Sequence, residues 1–394
     1  MRLQGDEKRM KKIVPLMIVL ALLIAGAPSY AAGAGGISFD AAKSIMLENS
    51  RQLQKQDALV KEFDLHYNNA LKSTKDIFYE GVYFSVGGVT GMRPYPIDTQ
   101  ITLAKNRYFL SAQMKYYWLS AIDGKTVMTN GLTTGLRDLY TMLFSADDNV
   151  KVMKQKYDIA REVNAQNKAR LQQGLITQLD MKQSQYNLDK AENDLNAAKR
   201  SRENAVRSFN AFLGVPVGAT YTNIEEPNED PIVRIDTAEN YISSALEKRM
   251  EIIDLKRQID LKRLEASVLQ MFIMNAYPAH IREDYNNALT EVKNLNLKLE
   301  IKKLAVQKEI KDAYVDVLNT YKSVKTMQGT LETQKKALAN TEMRYKLGYI
   351  TKDVLEQNRA AVNALENGYK AALYSYNTKV IKLNNASGIG PAYK

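Results

Sequence analysis

Few residues of this chain can do covalent or metal chemistry. Its 394 residues include two histidines, His66 and His280, and no cysteine. A zinc site needs three or four nitrogen, sulfur or carboxylate ligands at helix or loop spacing, and neither an HExxH pattern nor paired cysteines exist to complete one. Gly124-Lys125-Thr126 ends like a phosphate-binding loop, but the glycine needed five residues earlier is Leu119. Trp118 reads as a packing or interfacial residue. Neither an enzyme nor a cofactor is expected, and the lack of cysteine removes disulfides, thiolate metal sites and cysteine-linked lipid.

The charge balance is basic, +11 over the whole chain. Lys and Arg alternate with Asp and Glu, as in Glu247-Lys248-Arg249-Met250-Glu251, and no basic run is interleaved with stacking aromatics. This is a solvated helix face, not a nucleic-acid surface. The positive surplus favours contact with anionic cell-wall material.

What positions the remaining polar residues is a duplication. Shifted by 174 positions, the stretch from Asn164 to Gly218 lies without a gap on the stretch from Leu338 to about Pro391. Arg170 falls on Arg344, Gly174 on Gly348, Ile176 on Ile350, Thr177 on Thr351, Asn210 on Asn384 and Gly214 on Gly388. Each copy reads as a helix, a glycine-marked turn and a returning helix. The first returning helix places Met181, Ser184, Leu188, Ala191, Leu195, Ala198, Arg202, Ala205, Phe209 and Phe212 at alternating steps of three and four. The second does the same with Leu355, Asn358, Val362, Leu365, Tyr369, Ala372, Tyr376, Lys379, Leu383 and Ala386. Such a 3.5-residue period is the seam of a coiled coil, so each copy is a long antiparallel helical hairpin.

In chain order, residues 1–31 read as a signal peptide, with a basic n-region (Arg2, Lys8, Arg9, Lys11, Lys12), an apolar run Ile13 to Ala27 and small residues at Ser29 and Ala31. That apolar run is shorter than the ~20 residues of a spanning helix. Met10 is an alternative start. Removing the segment takes away five Lys/Arg and two Asp/Glu and leaves +8. The first repeat covers 37–218, a linker 219–236, and the second repeat 237–391. A helix from Ser38, its N-cap, to about Ile77 corresponds to one from Thr237 to about Asn275. The offset there is 199, not 174, so the first half carries about 25 extra residues, near 75–99. Tyr79 to Val89, rich in aromatic and β-branched residues and glycine, suggests one short strand or hairpin and a loop. At the same junction of the second half, residues 275–279 suggest a tight turn. A very long helix follows in each half, about Ile281 to Leu347 and about Thr102 to Gln172, the latter expected to break locally near Gly124, Gly131 and Gly135.

The motifs Arg170-Leu171-Gln172-Gln173-Gly174-Leu175-Ile176-Thr177-Gln178-Leu179-Asp180 and Arg344-Tyr345-Lys346-Leu347-Gly348-Tyr349-Ile350-Thr351-Lys352-Asp353-Val354-Leu355-Glu356, each followed by a heptad helix, resemble the TolC or outer membrane efflux family. With Leu47-Glu48-Asn49-Ser50 in the first helix, the resemblance covers about residues 37–391. It implies a mostly all-α protomer of internally duplicated hairpins and a homotrimer whose twelve long helices form a hollow α-barrel. It also implies an inner-membrane pump, and a periplasmic adaptor docking on the tips Gly174, Leu175, Ile176, Thr177 and Gly348, Tyr349, Ile350, Thr351. By motif position it implies that Asp180, Asp353 and Glu356 ring the pore entrance, although this chain is one residue shorter than the family between Gly348 and Asp353.

The departure lies at the other end. The family inserts a strand pair in each half, whereas this chain has room for at most one short β-hairpin. A membrane-spanning strand needs about 9 to 11 residues and a closed barrel. Outer-membrane insertion is therefore not expected, and Tyr79, Tyr83 and Phe84 are placed at a distal end that caps the tube or touches the wall. A second reading stands beside the channel: an exported coiled-coil spacer, associated with the cell wall and without transport.

Overall fold

The computed structural model describes residues 35–226, 233–273 and 279–393. The expected signal segment, and residues 275–278 of the expected turn, lie outside them. In order the elements are β1 Gly36–Ile37, α1 Phe39–Asn49, α2 Arg51–Thr74, β2 Gly81–Val86, β3 Val89–Pro94, α3 Ile97–Tyr108, α4 Leu110–Gln172, α5 Gln178–Leu213, β4 Asn223–Ile224, α6 Ala238–Lys248, α7 Met250–Gln270, α8 Ala279–Lys346 and α9 Lys352–Ser387. The described residues are predominantly helical, with one β-hairpin (β2–β3) and a two-residue parallel pair (β1–β4) among them. Both ends of α5 and α9 are displaced by 174 positions, and both ends of α1 and α6 by 199.

The long helices α4 and α8, of 63 and 68 residues, span on the order of 100 Å each. Neither has enough apolar surface to stand alone, so two shorter helices lie end to end along each: α5 and α2 on α4, α9 and α7 on α8. Helix α4 also packs against α9 and α7, which joins the halves into one layer with α2 and α5 on one edge and α8 on the other. One apolar core gathers Leu136, Tyr140, Leu143, Phe144, Val206, Phe209 and Leu213 with Ile37 and Met46; the other gathers Ile252, Ile259, Leu299, Val306, Ile310, Val317, Val380 and Leu383. Tyr374 of α9 sits in the first core, edge-on to Phe144 at 5.8 Å, and so welds the halves together.

The first seam is as expected. Ser184, Leu195, Ala198, Ala205 and Phe209 are buried and the other five members half-buried. In the second, Asn358 and Leu365 stay exposed. Ser38 caps α1 by accepting from the Ala41 N–H at 3.2 Å. Three expectations are corrected. The helix expected from Ser38 to Ile77 breaks at Ser50, which leaves the helical region (ψ 101°) and caps α2 through its hydroxyl; the corresponding helix breaks at Arg249 (ψ 131°). Helix α4 does not break at its glycines, and the interruption comes earlier, at Phe109 between α3 and α4. The glycines admit neighbours instead: a Cβ at Gly135 would stand 3.1 Å from the Phe212 ring, and one at Gly124 3.1 Å from the Gln56 amide. Close packing along the helix outweighs the roughly 1 kcal/mol that each glycine costs. The linker, expected only to cross between halves, contributes β4, and the Tyr140 hydroxyl lies 2.9 Å from the Ile37 carbonyl and 2.7 Å from that of Glu225, beside the paired strands. Burial pushes that hydroxyl up to about 12.

Among the described residues Arg249 is the largest fully buried side chain, 1% exposed. Its guanidinium donates to Glu251 at 2.8 and 2.9 Å, to Glu309 at 2.9 Å and to the Ala386 carbonyl at 3.0 Å. Glu309 also accepts from the Tyr393 N–H at 2.7 Å, and the Met250 N–H donates to Ile389. The break between α6 and α7 is thus tied to α8 and to the C-terminal strap. The bond from Arg249 holds the Glu251 carboxyl below its ordinary range, against the opposing effect of burial. A depressed carboxylate stabilises the fold above its unfolded pKa, and that stabilisation fades as pH falls through the folded value. Removing one partner of a fully buried ion pair costs about 3–5 kcal/mol; both glutamates keep partial access to water, so Arg249→Ala should cost about 2–3 kcal/mol at neutral pH. Urea unfolding checks this, and the difference from the parent should narrow below the carboxylate range.

Candidate functional site

The hairpin tips are built alike. Gly174 (φ 72°) and Gly348 (φ 77°) end α4 and α8 in the left-handed region. The Leu175 N–H donates to Arg170 and the Gly174 N–H to Leu171, both at 2.9 Å; Tyr349 to Arg344 and Gly348 to Tyr345 repeat the pattern, again at 2.9 Å. This is the Schellman arrangement, which satisfies the last helix carbonyls and requires a positive φ that glycine adopts without strain. Ile176 and Ile350 tuck under the turn, half-buried, while Leu175 and Tyr349 point outward, 67% and 74% exposed. The two tips lie at the same end of the molecule, because Lys352 pairs with Glu162 at 3.0 Å and Gln166 reaches Asp353 at 3.5 Å.

They differ at the next residue. Thr177 caps α5 in a full capping box: its hydroxyl accepts from the Asp180 N–H at 3.1 Å, and Asp180 accepts from the Thr177 N–H at 2.9 Å and hydroxyl at 2.7 Å. At the second tip the third helical position is Val354, and the Thr351 side chain makes no cap.

Of the three acids expected at the entrance, Asp180 is therefore engaged in its cap and Glu356 is paired with Arg359 at 2.9 Å, while Asp353 stands beside the end of α4. Asp180 also borders a groove of about 480 Å³ floored by Ile159, Ala160 and Val163 of α4 and walled by Ala360 and Ala361 of α9. At the far end, Tyr79 turns inward, with its ring edge-on to Phe272 and Tyr108, whereas Tyr83 and Phe84 lie exposed on the hairpin. His66 and His280 are engaged separately, with Glu62 at 3.7 Å and Asp98 at 3.1 Å. Among the described residues no group of three or more His, Cys, Asp or Glu could hold a metal ion.

One set of residues escaped the sequence reading. On the free edge of the layer α8 exposes Leu297, Ile301 and Leu304, each 64–68% accessible. Their steps of four and three form a second stripe beside the one that packs on α7 and α9, and that spacing was the signal. The other edge exposes Leu65 and Leu71 of α2 and Leu179 and Tyr186 of α5.

The Thr177 hydroxyl and N–H together hold the Asp180 carboxyl below the ordinary carboxylate range. The cap is thus fully formed above that range and is lost as pH falls through the depressed value. Thr177→Ala should return the Asp180 titration toward the usual value and speed amide exchange in the first turn of α5, while α9 is unaffected; carboxylate titration by NMR reads both.

Residues 130–215, from the middle of α4 through the first tip and α5, match the model of the family described as outer membrane efflux protein. A search by sequence finds no curated protein that matches. By structure, the chain is similar to the CmeC outer membrane channel of Campylobacter jejuni, with 15% identity, 90% of this chain and 86% of that one covered, and a TM-score of 0.62. It is also similar to the open state of the MtrE outer membrane channel of Neisseria gonorrhoeae (12% identity, 89% of each chain, TM-score 0.61) and to the outer membrane protein VceC of Vibrio cholerae (12%, 89% of this chain and 96% of that one, TM-score 0.58). CmeC and MtrE are outer membrane channels. The nearly full-length likeness gives this chain a TolC-like fold, and the family match runs through its first tip.

Proposed function

We propose that the protein is the distal channel of an efflux or type I secretion system in the cell envelope: a homotrimeric conduit that receives substrate from an inner-membrane pump through a periplasmic adaptor. The observation that carries this reading is the pair of matching tips, two Schellman turns at one end of the layer with Leu175 and Tyr349 standing outward. Glycine at the turn lets the backbone of another helical hairpin approach end to end, with Leu175 and Tyr349 standing beside the contact.

The edges supply the trimer. An apolar stripe of three residues on α8 opposite apolar residues on α2 and α5 suits a head-to-tail contact that closes by rotation. Twelve long helical columns would then enclose the lumen. At its entrance Asp180 and Asp353, each in three copies, concentrate cations and repel anions. Glu356 contributes less, since Arg359 offsets it.

One observation favours the rival, an exported wall-associated spacer: the hairpin offers only two six-residue strands per copy, too few and too short for a barrel of spanning strands. The two readings separate at the tips. A Cβ at Gly174 or Gly348 meets nothing within 4 Å, so replacing both with leucine costs on the order of 1–2 kcal/mol of left-handed strain at each position and no clash. The double variant should keep its helix content and oligomeric mass yet lose capture of the adaptor from the native host's envelope. Undiminished capture would defeat the docking assignment.

A further inference from the structure

The hairpin β2–β3 is an unusual object at the end opposite the tips. It follows α2 and leads into α3, which packs on the first turns of α4 and on α7, with Lys105 of α3 bonded to Glu265 at 3.1 Å. Its two strands pair from Gly81 with Pro94 to Val86 with Val89, closed by Gly87 and Gly88 at φ 61° and 84°. From Gly81 to Met92 it carries no charged residue. Opposite residues of an antiparallel pair share a face. Val82, Phe84, Val86 and Val89 therefore line one face, with Phe84 lying over Gly91, where a Cβ would stand 2.7 Å from the ring. Tyr83 and Met92 lie on the other. Both faces are open: Tyr83 is 68% exposed, and at the apex Val86 is 73% and Val89 66%.

A protein partner would cover one face of such a ribbon. To a glycan strand residues 81–92 offer hydroxyls but no amide or charged side chain. Lipid accepts both faces. What surrounds the hairpin has the composition of a membrane interface, where amphipathic rings and basic residues sit at headgroup level. Phe78 leans on Tyr83 at 5.0 Å; Arg93, opposite Val82 at the base of the hairpin, is exposed, as are Lys72 and Lys75 beside Asp76 and Glu80.

We infer that the hairpin is a shallow lipid wedge: its apex, Val86 to Val89, enters the near leaflet of a bilayer and holds this end of the protein on the membrane surface without crossing it. Six residues reach roughly 20 Å, short of the ~30 Å hydrocarbon core. The outer edges of β2 and β3 also carry backbone groups that hydrocarbon cannot satisfy, which stops entry where headgroups and water still serve them. No helix among the described residues is long and apolar enough to cross a membrane. This attachment does not depend on the copies forming a conduit.

Flotation of the mature chain with phosphatidylcholine vesicles tests it. The parent should float, equally at low and high salt, because the contact is apolar. Val86→Asp with Val89→Asp should cut the bound fraction about tenfold or more, since each buried valine is worth about 1.5 kcal/mol or more. Both positions are exposed, so circular dichroism should be unchanged; Val217→Asp, an exposed valine elsewhere, should float like the parent. A parent that does not float, flotation abolished by high salt, or a double aspartate variant that floats normally would each overturn the wedge. Sedimentation with purified wall in place of flotation would do so too, as would a double variant that changes only the oligomeric mass.

Discussion

The structure depends on one constraint: a helix of more than sixty residues with mixed polarity is stable only if its apolar stripes are covered along the whole length. Propensity cannot do this, because helical stability in water comes mainly from packing of an amphipathic face. The chain answers by folding two shorter helices onto each long one and by letting α4 serve both halves. The helices preceding α2 and α7 break from them at Ser50 and Arg249, and at Arg249 an ion-pair network holds the break.

The same constraint leaves the layer incomplete. The interior helix α4 has neighbours on both sides, whereas α8 has them on one side only and shows its second apolar stripe to solvent. In the proposed assembly a protomer of this shape is a segment of a wall, and closure by further copies covers its edges. The tips and the hairpin, at opposite ends of the long helices, are the parts that packing does not use. Function is assigned to them for that reason.

Much of this was legible in the sequence. The 174-residue repeat placed both ends of α5 and α9, the three-four spacing picked out Leu195, Ala198, Ala205 and Phe209 as seam, and Gly174 and Gly348 marked turns that need a positive φ. Local signals failed where tertiary packing overrode them. Gly124, Gly131 and Gly135 suggested a break, but they sit in a continuous helix against Gln56, Pro391 and Phe212. Arg249 lay within an alternating charge pattern that suggested a solvated face, and it is buried because partners 60 and 137 positions away converge on it. At the candidate site, the motif positions of Asp180, Asp353 and Glu356 were readable, but their different partners were not, since these depend on which helix face each turn presents.

The channel and the spacer share this protomer and part company at assembly. The most direct measurement is the mass of the mature protein by light scattering, with a negative-stain image of the same sample. The account predicts three times the chain mass and a hollow cylinder on the order of 100 Å long. A monomer, or a solid rod without a lumen, would contradict it.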